Sequence, residues 1–107
     1  MNPYYLPGQS VTTQNILDAT IEATGVTINE IQSKSKIARC VISRTIYAIL
    51  AMKYTLDSHS VICGLIKRDR TTAFNYYKIH ESYLFSRDTK YIELFTKVKT
   101  NIGRNRK

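Results

Sequence analysis

An all-α fold, a small bundle of five or six helices containing a helix-turn-helix, is predicted by three observations. Both prolines, Pro3 and Pro7, lie in the first eight residues, so no proline interrupts helix anywhere after them. From residue 12 onward apolar side chains recur at spacings of three and four, the period of a helix with one buried face. Most of these runs also open on Ser, Thr or Asp, the residues whose side chains cap helix N-termini. Val, Ile, Thr and Tyr are frequent enough to raise a strand-containing fold as the alternative. The three-and-four spacing decides against it.

Residues 1–10, with Gly8 and both prolines, read as an irregular lead-in. Thr12 or Thr13 can cap a first helix whose apolar positions are Ile16, Leu17, Ala19 and Ala23, with Gly25 as its stop. Thr27 followed by Glu30 is a capping-box pattern that opens a short helix ending near Ser33. The run Ala38, Val41, Ile42, Thr45, Ile46, Ile49, Leu50 and Tyr54 predicts a long central helix. Asp57 or Ser58 then caps a short helix with Val61, Ile62, Leu65 and Ile66. Lys67-Arg68 forms a turn, and Asp69 caps a helix through Ala73, Tyr76, Tyr77, His80, Tyr83 and Leu84. A last helix follows Asp88 with apolar positions Tyr91, Ile92, Leu94, Phe95 and Val98, and residues 103–107 read as a basic tail. Residues 11–102 thus form one helical domain, which the length of 107 residues also favours.

The charge is unevenly placed. Sixteen Lys and Arg against eight Asp and Glu give a net charge of +8. Residues 1–33 contain Asp18, Glu22 and Glu30 and no Lys or Arg, so residues 34–107 alone carry +11. A basic surface of this kind points to an anionic partner such as a phosphate backbone. The acidic first helix reads as a solvated face.

Motifs and spacing exclude several function classes. Cys40 and Cys63 stand singly inside apolar runs, neither in a Cys-x-x-Cys pair nor near a clustered His, which predicts buried thiols rather than a disulfide or a zinc site. His59 and His80 fall in no nucleophile motif, so no catalytic residues, no metal and no cofactor are expected. No apolar run approaches the roughly 18 to 20 residues needed to span a bilayer, and the first ten residues lack the pattern of a signal peptide, so a cytoplasmic location is expected. The aromatic series Phe74, Tyr76, Tyr77, Tyr83 and Phe85 could stack on unpaired bases, but its helical spacing favours packing between helices.

A short helix, a tight turn and a second helix opening on small polar and basic side chains match the geometry that places a recognition helix in the major groove. From about Val11 to Leu84 the order of features resembles the C-terminal DNA-binding domain of the bacterial replication initiator DnaA, a Trp-repressor-like helix-turn-helix domain. The densest match is Arg68-Asp69-Arg70-Thr71-Thr72-Ala73-Phe74, similar to the family's Gly-Arg-Asp-His-Thr-Thr-Val-Leu signature. Upstream, residues 26–36 resemble the short helix leading into the family's basic loop, and residues 44–51 the start of its long helix.

The resemblance implies double-stranded DNA as the partner. By position, Asp69, Arg70, Thr71 and Thr72 become base readers, with Arg68 near phosphate and Lys67 and Asn75 at the same end of the helix. Arg can pair bidentately with guanine, Thr can contact the thymine methyl, and Asp can accept from cytosine N4. Lys34, Lys36, Arg39 and Arg44 become backbone or minor-groove contacts. Three departures bear on the target sequence: the family's His is Arg70 here, its paired Gly before the Arg is reduced to Lys67 with a one-residue loss, and the basic loop, residues 37–44, is thinner. The sequence contains no phosphate-loop motif, so recognition without nucleotide hydrolysis is expected. The function expected is duplex DNA binding in replication or its control, in the setting of a phage or mobile-element accessory factor. Two alternatives stay open: an interaction module that keeps the initiator fold and binds a host replication protein, and a dimeric transcriptional repressor. The oligomeric state is not set by the sequence.

Overall fold

The computed structural model describes residues 11–105, with side chains through residue 103; the lead-in at 1–10 and the tail residues Arg106 and Lys107 lie outside the described residues. Six helices follow one another with no strand among the described residues: α1 (Thr13–Thr24), α2 (Ile28–Gln32), α3 (Ala38–Tyr54), α4 (His59–Gly64), α5 (Thr72–Phe85) and α6 (Thr89–Asn105).

The caps select between the open alternatives. Thr12 accepts the Asn15 N–H at 3.0 Å, and Asn15 accepts the Thr12 N–H in return at 3.3 Å. Thr27 and Glu30 form the reciprocal box at 3.1 Å in both directions. Ser58 caps α4 through the Val61 N–H at 3.3 Å, and Asp88 caps α6 through the Tyr91 N–H at 2.9 Å. Thr13 and Asp57, the residues passed over as caps, hydrogen-bond each other, tying the start of α1 to the α3–α4 connection. Gly25 ends α1 with a left-handed φ of 75°, where its missing Cβ removes the steric penalty.

Helix α3 is the axis of the core. Its residues from Ser43 through Ala51 are all buried, and α1, α2, α4, α5 and α6 each pack against it. The Tyr47 ring is fully enclosed; its hydroxyl donates to the Ile62 carbonyl at 2.5 Å, and burial pushes its pKa well up. Buried hydroxyls follow the same rule of pairing, Thr20 donating to Ile16 O at 2.8 Å and Thr45 to Val41 O at 2.8 Å. Among the described residues no buried side-chain nitrogen or oxygen lacks a partner. Cys40 and Cys63 are buried free thiols, as predicted.

Helix α6 packs chiefly on α1 and closes the bundle over α3 and α5. Tyr91 stacks on Tyr83 with ring centroids 4.5 Å apart and planes 9° from parallel, and its hydroxyl lies 2.6 Å from His80 Nδ1. Burial pulls the His80 pKa down. Helix α6 runs without a break past the expected boundary at residue 103 to Asn105.

One expectation is corrected. Only Tyr76 of the aromatic series is buried and Tyr83 half-buried, whereas Phe74, Tyr77 and Phe85 are exposed at 62%, 45% and 92%. The cause is geometric: α5 meets its neighbours along one stripe, Ala73, Tyr76, His80 and Tyr83, and its remaining aromatic residues lie on other faces. No described helix is long and apolar enough to cross a membrane.

Candidate nucleic-acid interface

Helices α4 and α5 are joined by a turn that the backbone builds in two steps. Past Gly64 the chain closes with Arg68 N–H donating to Cys63 O at 2.9 Å and Lys67 N–H donating to Gly64 O at 3.0 Å, a Schellman motif. Lys67 occupies its left-handed position with φ of 56°. A side chain there costs free energy that glycine avoids, so Lys67→Gly is expected to raise stability by about 1 kcal/mol in urea titrations. Three bonds of i→i+3 type then coil residues 69–74 into the start of α5: Asp69 O to Thr72 N–H, Arg70 O to Ala73 N–H and Thr71 O to Phe74 N–H.

That second step corrects the reading of Asp69 as the N-cap. Helix α5 begins at Thr72, the position before it, Thr71, has helical backbone angles, and no side chain caps it. The Asp69 carboxylate reaches only the Thr71 N–H, at 3.4 Å, because the backbone already curls between them. Asp69, Arg70 and Thr71 are all exposed at this opening.

Residues 38–44, expected within the basic loop, belong instead to the first turns of α3. The loop that remains between α2 and α3, residues 33–37 with Lys34 and Lys36, faces the same opening and is organised by Arg44. This arginine, expected as a DNA contact, is instead 4% exposed inside α3. Its guanidinium donates to Ile31 O and Ser35 O at 2.7 Å, to Ser33 O at 2.8 Å and to Glu30 O at 3.1 Å. The last carbonyls of a helix have no intrahelical donors, and a planar five-donor fork is suited to gathering several of them. Burial and the nearby Arg68 charge lower the Arg44 pKa. Its role is therefore to fold the loop, and the sequence-based contact is corrected on that ground.

Arg68 behaves in part the same way. It is half-buried, donates to Ser33 O beside Arg44, and reaches Ile66 O and Lys67 O at 3.2 Å and Gln32 O at 3.4 Å. Gln32 adds a bond from its side chain to Leu65 O at 2.9 Å. Together they fasten the helix-turn-helix to the loop. No spacing in the sequence announces Gln32, whose partner lies 33 residues away.

The result is an open groove of about 420 Å³ between loop and recognition helix. Lys34, Ser35 and Lys36 form one wall, Lys67, Arg68 and Asp69 the end, and Thr72, Asn75, Tyr76 and Ile79 of α5 the other wall, with Val41 and Arg44 between. Seven of the expected contacts other than Arg44 meet here. Arg70 and Thr71 are exposed at the head of α5 and do not line the groove. Arg39 also stands outside it, donating to the Glu30 carboxylate at 2.6 Å. The Thr27 N–H, and then Arg39, hold the Glu30 carboxyl below its ordinary pKa. Ser35, Val41, Tyr76 and Ile79 are groove residues not anticipated as contacts; Val41 and Tyr76 belong to the apolar patterns of α3 and α5 and carry no separate signal.

The family model for the bacterial dnaA protein helix-turn-helix matches residues 13–87, well over half of the chain. The chain belongs to this family. The matched segment takes in α1 to α5 and both walls of the groove of this DnaA-type helix-turn-helix, and α6 follows it. No curated protein matches the chain.

Proposed function

We propose that this DnaA-type helix-turn-helix chain binds double-stranded DNA in replication or its control, by recognition without catalysis. The observation that carries this reading is the convergence of Lys34, Lys36 and Lys67 on a groove walled by Thr72 and Asn75, with Arg70 and Thr71 exposed at the head of α5. Ammonium groups on flexible stems suit phosphate, which fixes position without reading sequence, whereas Arg, Thr and Asn at a helix opening suit base edges. Affinity is thus assigned to the loop and turn, and selectivity to the first turns of α5.

The test is the salt dependence of duplex binding. Lys34→Ala and Lys36→Ala are each expected to weaken all duplexes alike and to lower the slope of log affinity against log salt by about 0.9 per lost phosphate contact. An unchanged slope for both variants would remove the loop from the interface.

The inward turn of Arg44 and Arg68 leaves fewer arginines for DNA and favours a second reading. In it the same basic groove meets an acidic protein surface, such as that of a host replication protein. Binding of that kind would show no enrichment of any sequence from random duplex.

A further inference from the structure

Phe74 has no part in the groove, yet it stands on the outward face of α5, beside Thr71 and Asn75 and one turn before Lys78, all of them exposed. Phe74 is 62% exposed, while the adjacent Ala73 and nearby Tyr76 are buried, so the turn that carries it is anchored. His59, the first residue of α4, meets the ring edge-on with centroids 5.8 Å apart and planes at 84°. The ring is therefore braced against α4 while most of the residue stays exposed.

An apolar ring held among polar readers at the head of a recognition helix has one apolar counterpart on the base edges of the major groove, the C5-methyl of thymine. We infer that Phe74 is a specificity-determining residue that packs against a thymine methyl and selects thymine at one position of the bound site. The inference rests on the reading of α5 as a major-groove helix and deepens it: Arg70 supplies hydrogen-bonded discrimination, Phe74 apolar discrimination. The side chain is exposed, so shortening it leaves the core intact.

The experiment replaces each thymine of the selected duplex in turn by deoxyuridine, which removes the methyl and nothing else. The unmodified protein is expected to lose about three- to tenfold in affinity at one or two positions, the scale of one well-packed methyl contact. Phe74→Ala is expected to bind the thymine duplex weaker by about the same factor and to be indifferent to uracil at those positions. Arg70→Ala is expected to keep the uracil penalty. A Phe74→Ala variant that retains the full penalty, or an unmodified protein that shows none, overturns the inference while sequence selectivity itself stands. Failure to enrich any sequence overturns both. Unchanged DNA binding by Phe74→Ala with loss of a protein partner would assign the ring to a protein contact and overturn it too.

Discussion

Replacing Arg44 by alanine is expected to lower the unfolding free energy by about 3–5 kcal/mol, the scale of stripping the partner from several buried polar groups at once. Four carbonyls, those of Glu30, Ile31, Ser33 and Ser35, accept from this one guanidinium at 2.7–3.1 Å. Arg68 also reaches Ser33 O, and the Ser33 hydroxyl donates to Glu30 O at 2.6 Å, so the loss falls chiefly on the carbonyls of Ile31 and Ser35. For a chain of this size each kcal/mol moves the melting temperature by about 4 °C or more, so a fall on the order of 15 °C should appear in a thermal melt. Lysine at the same place keeps the charge but presents a compact ammonium that cannot span the carbonyls, and it should recover less than half of the loss. DNA affinity should fall with stability, since the loop bearing Lys34 and Lys36 is folded around this side chain. A loss under about 1 kcal/mol would mean that the loop holds its shape without Arg44.

Arg70→Ala is expected to weaken binding to the preferred duplex by about 1–3 kcal/mol and to relax selectivity at one base pair, as loss of a bidentate contact to guanine would. Its side chain is exposed, and its backbone carbonyl, which accepts the Ala73 N–H at 3.2 Å, is kept in the variant. The fold should therefore be unaffected, and circular dichroism melts of the two proteins should coincide. Competition with random duplex separates the roles: equal losses on preferred and random DNA would assign Arg70 to phosphate rather than to a base.

The helices were legible in the sequence because their determinants are local. The Thr27–Glu30 box, Gly25 and the Asp88 cap act within a few residues, and the three-and-four run from Ala38 to Tyr54 matches α3 at both ends. The ambiguities at Thr12 or Thr13 and at Asp57 or Ser58 were resolved by a contact between the residues not used as caps, 44 positions apart, which no local pattern reveals. The family resemblance was carried by the signature at residues 68–74 and placed the helix-turn-helix where the structure has it.

What failed to read correctly was the direction of side chains whose type is compatible with two environments. Arg44 looks like one more basic residue of the loop, and only the arrival of the α2 carbonyls against α3 makes its burial tolerable. Phe74 looks like one more apolar residue of α5, and only the way the helices pack determines that it is left exposed, with His59 of α4 against its ring. Lys67 by its own type carries no sign that its backbone is left-handed, although the family signature has glycine at that place; the conformation is imposed by closure of the α4 terminus. In each case the missing information is tertiary.

The central claim, that the opening of α5 reads duplex sequence while the basic loop holds the backbone, is tested most directly by selection from a random duplex library with the full chain. Salt of about 150 mM screens weak nonspecific attraction without abolishing phosphate contacts. The account expects one enriched motif, containing a guanine whose enrichment disappears for Arg70→Ala. Retention of duplexes without enrichment, through binding that merely falls as salt rises, would contradict it.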